Sequence, residues 1–160
     1  MTTRRRTAAR SMADHDRILD DLVARVGGIR HAVVLSHDGA TVSASRGLSR
    51  RDAEHLAAVA SGFHGLARSA GRRARGGPAR QTVIDTGAGR LFVAALGDGA
   101  CLAVLSTAGA DPAAVAAETA RAAERVVFPP AVRPGPSGYP EEPVGGGAED
   151  HGEGTRRCER

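Results

Sequence analysis

Lysine is absent from this sequence: all 22 basic residues are arginines. That absence excludes whole classes of chemistry. A phosphate-cradling P-loop needs the lysine of its GxxxxGK[ST] pattern, and Schiff-base catalysis and kinase-type phosphate pairing need one as well. If nucleotide enters the biology of this chain, another chain holds it. Aromatic residues are scarce, with no Trp, one Tyr and three Phe, so the stacking platforms of single-strand binders are missing. Cysteine occurs only at Cys101 and Cys158, too few for the disulfide framework of a small secreted domain, and both read as reduced thiols. No run approaches the roughly 18 apolar residues of a membrane span. No apolar segment of a secretory signal follows the early arginines. These absences predict a cytoplasmic protein with no membrane insertion of its own, reaching a membrane only through partners.

What is present narrows the reading. Arginine in place of lysine, with abundant Ala, Gly and Pro, is the usage of a GC-rich bacterial genome. The formal net charge is only +4, and no concentrated basic face with aromatics accompanies it, so no nucleic-acid partner is expected. The 160 residues suffice for one domain with tails. Residues 1–13 are polar and Arg-rich and are expected to be disordered, with Met12 an equally good start. Residues 14–130 carry the ordered domain. Residues 131–160 are rich in Pro, Gly and acid without periodicity and are expected to form a disordered tail.

Within the ordered part, Ile18, Leu19, Leu22, Val23 and Val26 recur at helical spacing, with Asp14 or Asp16 as cap and Gly27-Gly28 as stop. "HAVVLS" and "TVSAS" flank "HDGA", a hairpin whose Gly39 supplies a positive φ. "LSRRDAEHLAAVASGFHGLARSAG" predicts a long helix capped by Ser49. It is apolar on two faces. Leu56, Val59, Phe63, Leu66 and Ala70 make a bulky stripe suited to a sheet. Ala53, Ala57, Ala60, His64, Ala67 and Gly71 make a stripe of small residues that suits close approach of another helix. After the loop "RRARGGPAR", the segments "RQTVIDT", "RLFVAAL" and "ACLAVLS" follow through short Gly- and Asp-containing links, as antiparallel neighbours do. A last helix opens with Asp111 and Pro112 and stops at Pro129-Pro130. The order is helix, two strands, helix, three strands, helix: an α+β sandwich of about five antiparallel strands with helices on its faces.

Candidate chemistry is thin. Asp52, Glu54 and His55 lack the further ligands of a metal site. Ser36, Ser61 and Ser106 have no nucleophile elbow or base partner. Cys101 sits in an apolar strand and reads as an inert buried thiol. His31 and His37 flank a strand as ordinary edge residues, and Asp85, Asp98 and Glu118 show no acid–base pairing. No catalytic residue, cofactor or metal is expected. The arginines of residues 71–80 read as a solvated basic loop, the functional alternative being steering of an acidic partner or approach to a nucleotide phosphate.

The residues "LDDLVARVGGIRHAVVLSHDGATVSASRGLSRRDAEHLAAVASGF" and "RQTVIDTGAGRLFVAALGDGACLAVLS" resemble the roadblock/dynein light chain family. The resemblance is to its bacterial MglB-like branch, and within it to the roadblock component of actinobacterial conservon operons. It covers about residues 14–128. It implies a roadblock-type α/β sandwich that homodimerises through the second helix and third strand, extending the sheet. It further implies a non-enzymatic regulator or scaffold of a Ras-like small GTPase, in a system with a sensor histidine kinase. The dimer contact is then expected at Ala53, Ala57, Ala60, His64 and Ala67 on the helix and Gln81, Val83 and Asp85 on the strand. The GTPase-facing surface is expected at Arg50, Arg51, His55 and Arg68, with His64 contributing. The alternative is a small-molecule-sensing or general interaction module of the same shape; few aromatic and polar groups in the expected core argue against a ligand pocket there.

Overall fold

The chain runs α1 (Thr2–Arg25), β1 (Ile29–Leu35), β2 (Thr41–Ala44), α2 (Arg50–Arg73), β3 (Gln81–Thr86), β4 (Gly89–Gly97), β5 (Ala100–Thr107) and α3 (Pro112–Arg125). The computed structural model describes residues 2–97 and 99–127, with side chains from residue 11 onward. Asp98, the Pro129-Pro130 stop, the expected tail 131–160 and Cys158 lie outside the described residues.

Local chemistry sets most element ends. The β1–β2 turn closes with Ser36 N–H donating to Ala40 O at 2.9 Å and Gly39 N–H to Ser36 O at 2.9 Å, with Gly39 at φ +81°. The Ser36 hydroxyl bonds the Asp38 carboxylate, and that bond first, with the Ala40 backbone second, holds the Asp38 carboxyl below its ordinary range. At the start of α2, Ser49 Oγ accepts from Asp52 N–H at 3.1 Å, satisfying one of the helix's free donors. Asp111 does the same for α3 through Ala113 N–H at 3.1 Å, with Pro112 in the first turn.

The first helix departs from expectation. It begins at Thr2 rather than near Asp14, so the Arg-rich segment 1–13, expected to be disordered, is helical from Thr2. Ala and Arg are strong helix formers and no Gly or Pro interrupts them. Asp14 and Asp16 are therefore interior residues, not caps.

The five strands form one antiparallel sheet in the order β2-β1-β5-β4-β3. The central strands are covered on both sides, which is why they read as continuous apolar runs. On one face α1 and α3 pack Leu19, Leu22, Val115 and Ala122 against Ala32, Val34, Phe92, Leu102 and Val104. Polar ties lock these layers: Asp20 accepts from Arg46 N–H at 2.7 Å, Asp16 contacts Ser43 Oγ, and the His15 ring lies 3.0 Å from Val127 O. Gln81 Nε2 donates to Ala116 O at 3.2 Å, joining β3 to α3.

On the other face lies α2 alone, and its two stripes exchange the places expected of them. Ala53, Ala57, Ala60 and His64 are buried against this chain's own sheet, packed over Val33, Leu35, Leu91, Val93 and Ala103. Of the bulky stripe, Leu56 and Val59 are half-buried along the edge of the same core, and Phe63 and Leu66 turn outward, 38% and 69% exposed. The small residues take the centre of the helix–sheet contact, because they permit close approach to a sheet as well as to a helix. The buried Ala53, Ala57, Ala60 and His64 thus offer no surface to a second copy.

Candidate functional site

The outward stripe of α2 borders an open groove of about 500 Å³. Leu56, Val59 and Phe63 form its helix wall, and Ile84, Leu91 and Leu105 its sheet wall. Polar side chains rim it, among them Arg30, His31, Asp52 and His55. The helix touches all five strands, yet Val83 on β3 stays 49% exposed. Large apolar side chains rimmed by polar ones mark interaction sites more often than chance exposure.

Beside the groove the sheet ends in β3, paired only to β4. A free edge presents unpaired backbone donors and acceptors, and proteins commonly blunt such edges with Lys, Pro or shortness. The sequence of β3, QTVIDT, has neither Lys nor Pro, and Val83 is 49% exposed. The opposite edge, β2, is four residues long, with its Ser43 and the following Arg46 held by α1.

The expected surface residues are scattered by the fold. Val83 and Asp85 are exposed on β3, Asp85 pairing with Arg90 at 3.0 Å. Ala67 is half-buried on α2, and Gln81 is spent on α3. Arg50, Arg51 and His55 are exposed near the start of α2, with Arg50 paired to Glu54 at 2.9 Å. Arg68 is exposed too, but about 20 Å further along at 1.5 Å per residue, so it does not join that patch. Phe63 and Leu66, assigned to the sheet by their bulk, are the surface residues the sequence reasoning missed. The signal was the bulk of Val33, Leu35, Leu91 and Val93, which favours alanines at the centre of the contact with α2.

Cys101 is buried, and burial pushes its thiol up to about 11, against a smaller opposing influence of Arg68; the thiolate needed for reactivity is disfavoured. Among the described residues no group of three or more His, Cys, Asp or Glu could hold a metal ion. No described helix is long and apolar enough to cross a membrane.

Comparison with known proteins places this geometry. A roadblock/LC7 domain structure from Streptomyces avermitilis is 43% identical, covers 69% of this chain and 92% of its own, and superposes with a TM-score of 0.66. MglB from Myxococcus xanthus shares the fold at 12% identity, with TM-score 0.65 over 72% of this chain and 86% of its own. The gliding protein MglB from Thermus thermophilus does so at 17% identity, with TM-score 0.65 over 72% and 87%. No curated protein matches the sequence. Residues 16–106 match the family described as Roadblock/LC7 domain, and with that match spanning more than half of its length, this chain belongs to the Roadblock/LC7 family.

Proposed function

We propose that this protein is a homodimeric, non-enzymatic regulator or scaffold of a Ras-like small GTPase, working in a bacterial signalling system that includes a sensor histidine kinase. The observation that carries the reading is the outward apolar stripe of α2 lying beside the free edge of β3. Two copies related by a twofold axis bring β3 against β3 and the outer stripe of one α2 against its mate. A C2 contact of this kind is self-complementary and satisfies the edge's backbone groups. The dimer contact thus shifts from the alanine stripe to Leu56, Val59, Phe63 and Leu66, with Val83 and Asp85 on the strand. Arg50, Arg51 and His55 are exposed at the start of α2 in each copy. They offer donors to an acidic surface of the GTPase, a contact that weakens as salt rises. The absence of lysine and of a P-loop supports a chain that acts on a nucleotide held elsewhere.

The test is light scattering of the full chain, followed by calorimetric titration with a Ras-like GTPase encoded beside it, loaded with GDP or with a non-hydrolysable GTP analogue. A dimer that binds one nucleotide state in preference is the expected result. A monomer at micromolar concentration, no binding in either state, or GTP turnover by this chain alone would overturn the reading.

A further inference from the structure

The described chain ends at Val127, and that residue lies against α1. Its carbonyl oxygen is 3.0 Å from His15 Nε2 and accepts from Ser11 Oγ at 3.5 Å. Val127 is 73% exposed, so residues 128–160 begin on the surface, beside Ser11. From Ser11 the helix runs back through Arg10, Arg6, Arg5 and Arg4 to its first residue, Thr2. Arg4 stands about 10 Å from Ser11 along the axis, at 1.5 Å per residue.

These first turns of α1 are cationic and unmatched along the helix. Residues 1–13 contain four arginines and no acid. The acids of α1 are engaged further on: Asp14 with Arg17 at 3.9 Å, Asp16 with Ser43, Asp20 with Arg46 at 3.1 Å and Asp21 with Arg25 at 3.1 Å. Asp14, the first of them, stands about 12 Å past Arg6. Helix stability does not account for the arrangement, because the start of a helix favours anionic side chains and disfavours cationic ones.

An occupant of matching charge is attached to the same chain. Between Arg133 and Arg156 the sequence carries Glu141, Glu142, Glu149, Asp150 and Glu153 and no arginine. The stretch from Val127 to Glu141 spans about 50 Å at most, several times the distance from Ser11 to Arg4. We propose that the acidic segment 141–153 docks on residues 4–10 of α1 in its own chain. Single exposed ion pairs are weak, but a tether of this length raises the effective concentration to about millimolar, and several pairs form together. The chain end lies on the α1/α3 face of the sheet, whereas the other arginine-rich stretch, residues 72–80, follows α2 on the opposite face. Docked, the segment shields the α1 arginines, and a competing anionic surface must displace it. The contact needs neither a second copy nor a GTPase, so it stands or falls apart from the function proposed above.

The experiment uses the full chain and its own cysteines. Cys101 is buried with its thiol raised to about 11, so a maleimide nitroxide goes to Cys158, close after Glu153 in sequence. The expected result is broadening of the backbone amide NMR signals of residues 4–10 that exceeds the broadening at residues 72–75. It should fall at least about twofold in about 1 M NaCl, where screening acts within about 3 Å. A chain carrying Glu141→Gln, Glu142→Gln, Glu149→Gln, Asp150→Asn and Glu153→Gln should show the same fall at low salt, and so should Arg4→Gln with Arg5→Gln and Arg6→Gln. No broadening at residues 4–10, equal broadening at residues 72–75, or broadening that the neutralised segment retains would overturn the proposal. A mixture of isotope-enriched chains without nitroxide and unenriched chains with it should show none; broadening there would place the segment on a second copy and overturn the contact within one chain.

Discussion

The two faces of the sheet are built from similar strands and finished differently. On the α1/α3 face two helices close the layer, and Leu19, Leu22, Phe92, Leu102 and Val104 are at most 1% exposed. On the α2 face a single helix lies on alanines, with Leu56 and Val59 half-buried along its edge and Phe63 and Leu66 turned outward. The first face buries its apolar residues for stability. The second is closed by a thinner layer and leaves Phe63 and Leu66 where another molecule can reach them. The difference separates what holds this domain together from what it presents.

The sharpest way to break the comparison is to put a charge on each stripe of α2 in turn. Ala60 is fully buried, so Ala60→Arg forces a guanidinium into the layer over Leu35 and Val93, with no partner and no room. The expected cost is about 4 kcal/mol or more, read as loss of the cooperative thermal transition in circular dichroism. Leu66→Arg, on the outward stripe, should keep the cooperative transition, any loss being confined to the share of stability that association contributes and vanishing on dilution to the monomer. Equal damage from both would mean the stripes are not placed as described.

Much of this was legible because it is local. Ser49 and Asp52, Asp111 and Pro112, and Gly39 each act within four residues of themselves, and the caps and the turn fall where expected. The alternation and spacing of the strands likewise show five of them. Three things depend on distant parts of the chain and were not legible. Periodicity shows that α2 has two apolar faces but not which faces the sheet, since that turns on the volumes of strands elsewhere in the chain. The β1–β5 pairing joins the ends of the domain, and no turn signal announces it. The groove draws Leu56, Ile84 and Leu105 from three separate elements, which no local pattern announces.

The next effect is on association rather than folding. Phe63 is 38% exposed, so a partner burying the remainder gains about 0.5–1 kcal/mol from it, and in Phe63→Arg a twofold contact loses that twice. The dimer should therefore weaken about tenfold or more while the monomer stays folded. Sedimentation at graded concentrations checks this, and an unchanged dimer would move the contact away from the outer stripe.

Glycines separate the faces at smaller magnitude. At Gly28, which leads into β1 with φ +92°, an added Cβ would stand 2.5 Å from Ala110 Cβ on the closed side. Gly28→Ala should cost about 1–3 kcal/mol. Gly65 lies within α2, and an added Cβ meets nothing within 4 Å. Gly65→Ala should gain about 0.5–1 kcal/mol from helix propensity. Chemical denaturation of the two variants gives opposite signs if the faces differ as described.

The smallest effect is a pH dependence confined to the α2 face. His64 is held below its ordinary value of 6.5, first by burial and second by the Arg68 charge. The folded chain therefore prefers the neutral ring. The unfolded chain takes up a proton as pH falls through about 6.5, so His64 contributes stability that is fully present above that pH and is lost below it. The charged group that acts on this balance is the Arg68 guanidinium on the same helix. Between pH 7.5 and 5.5 the parent should lose stability, and His64→Gln, which cannot titrate, should flatten that slope. Denaturation midpoints at four pH values read the difference, and an unchanged slope in His64→Gln would show that this ring does not set the pH dependence.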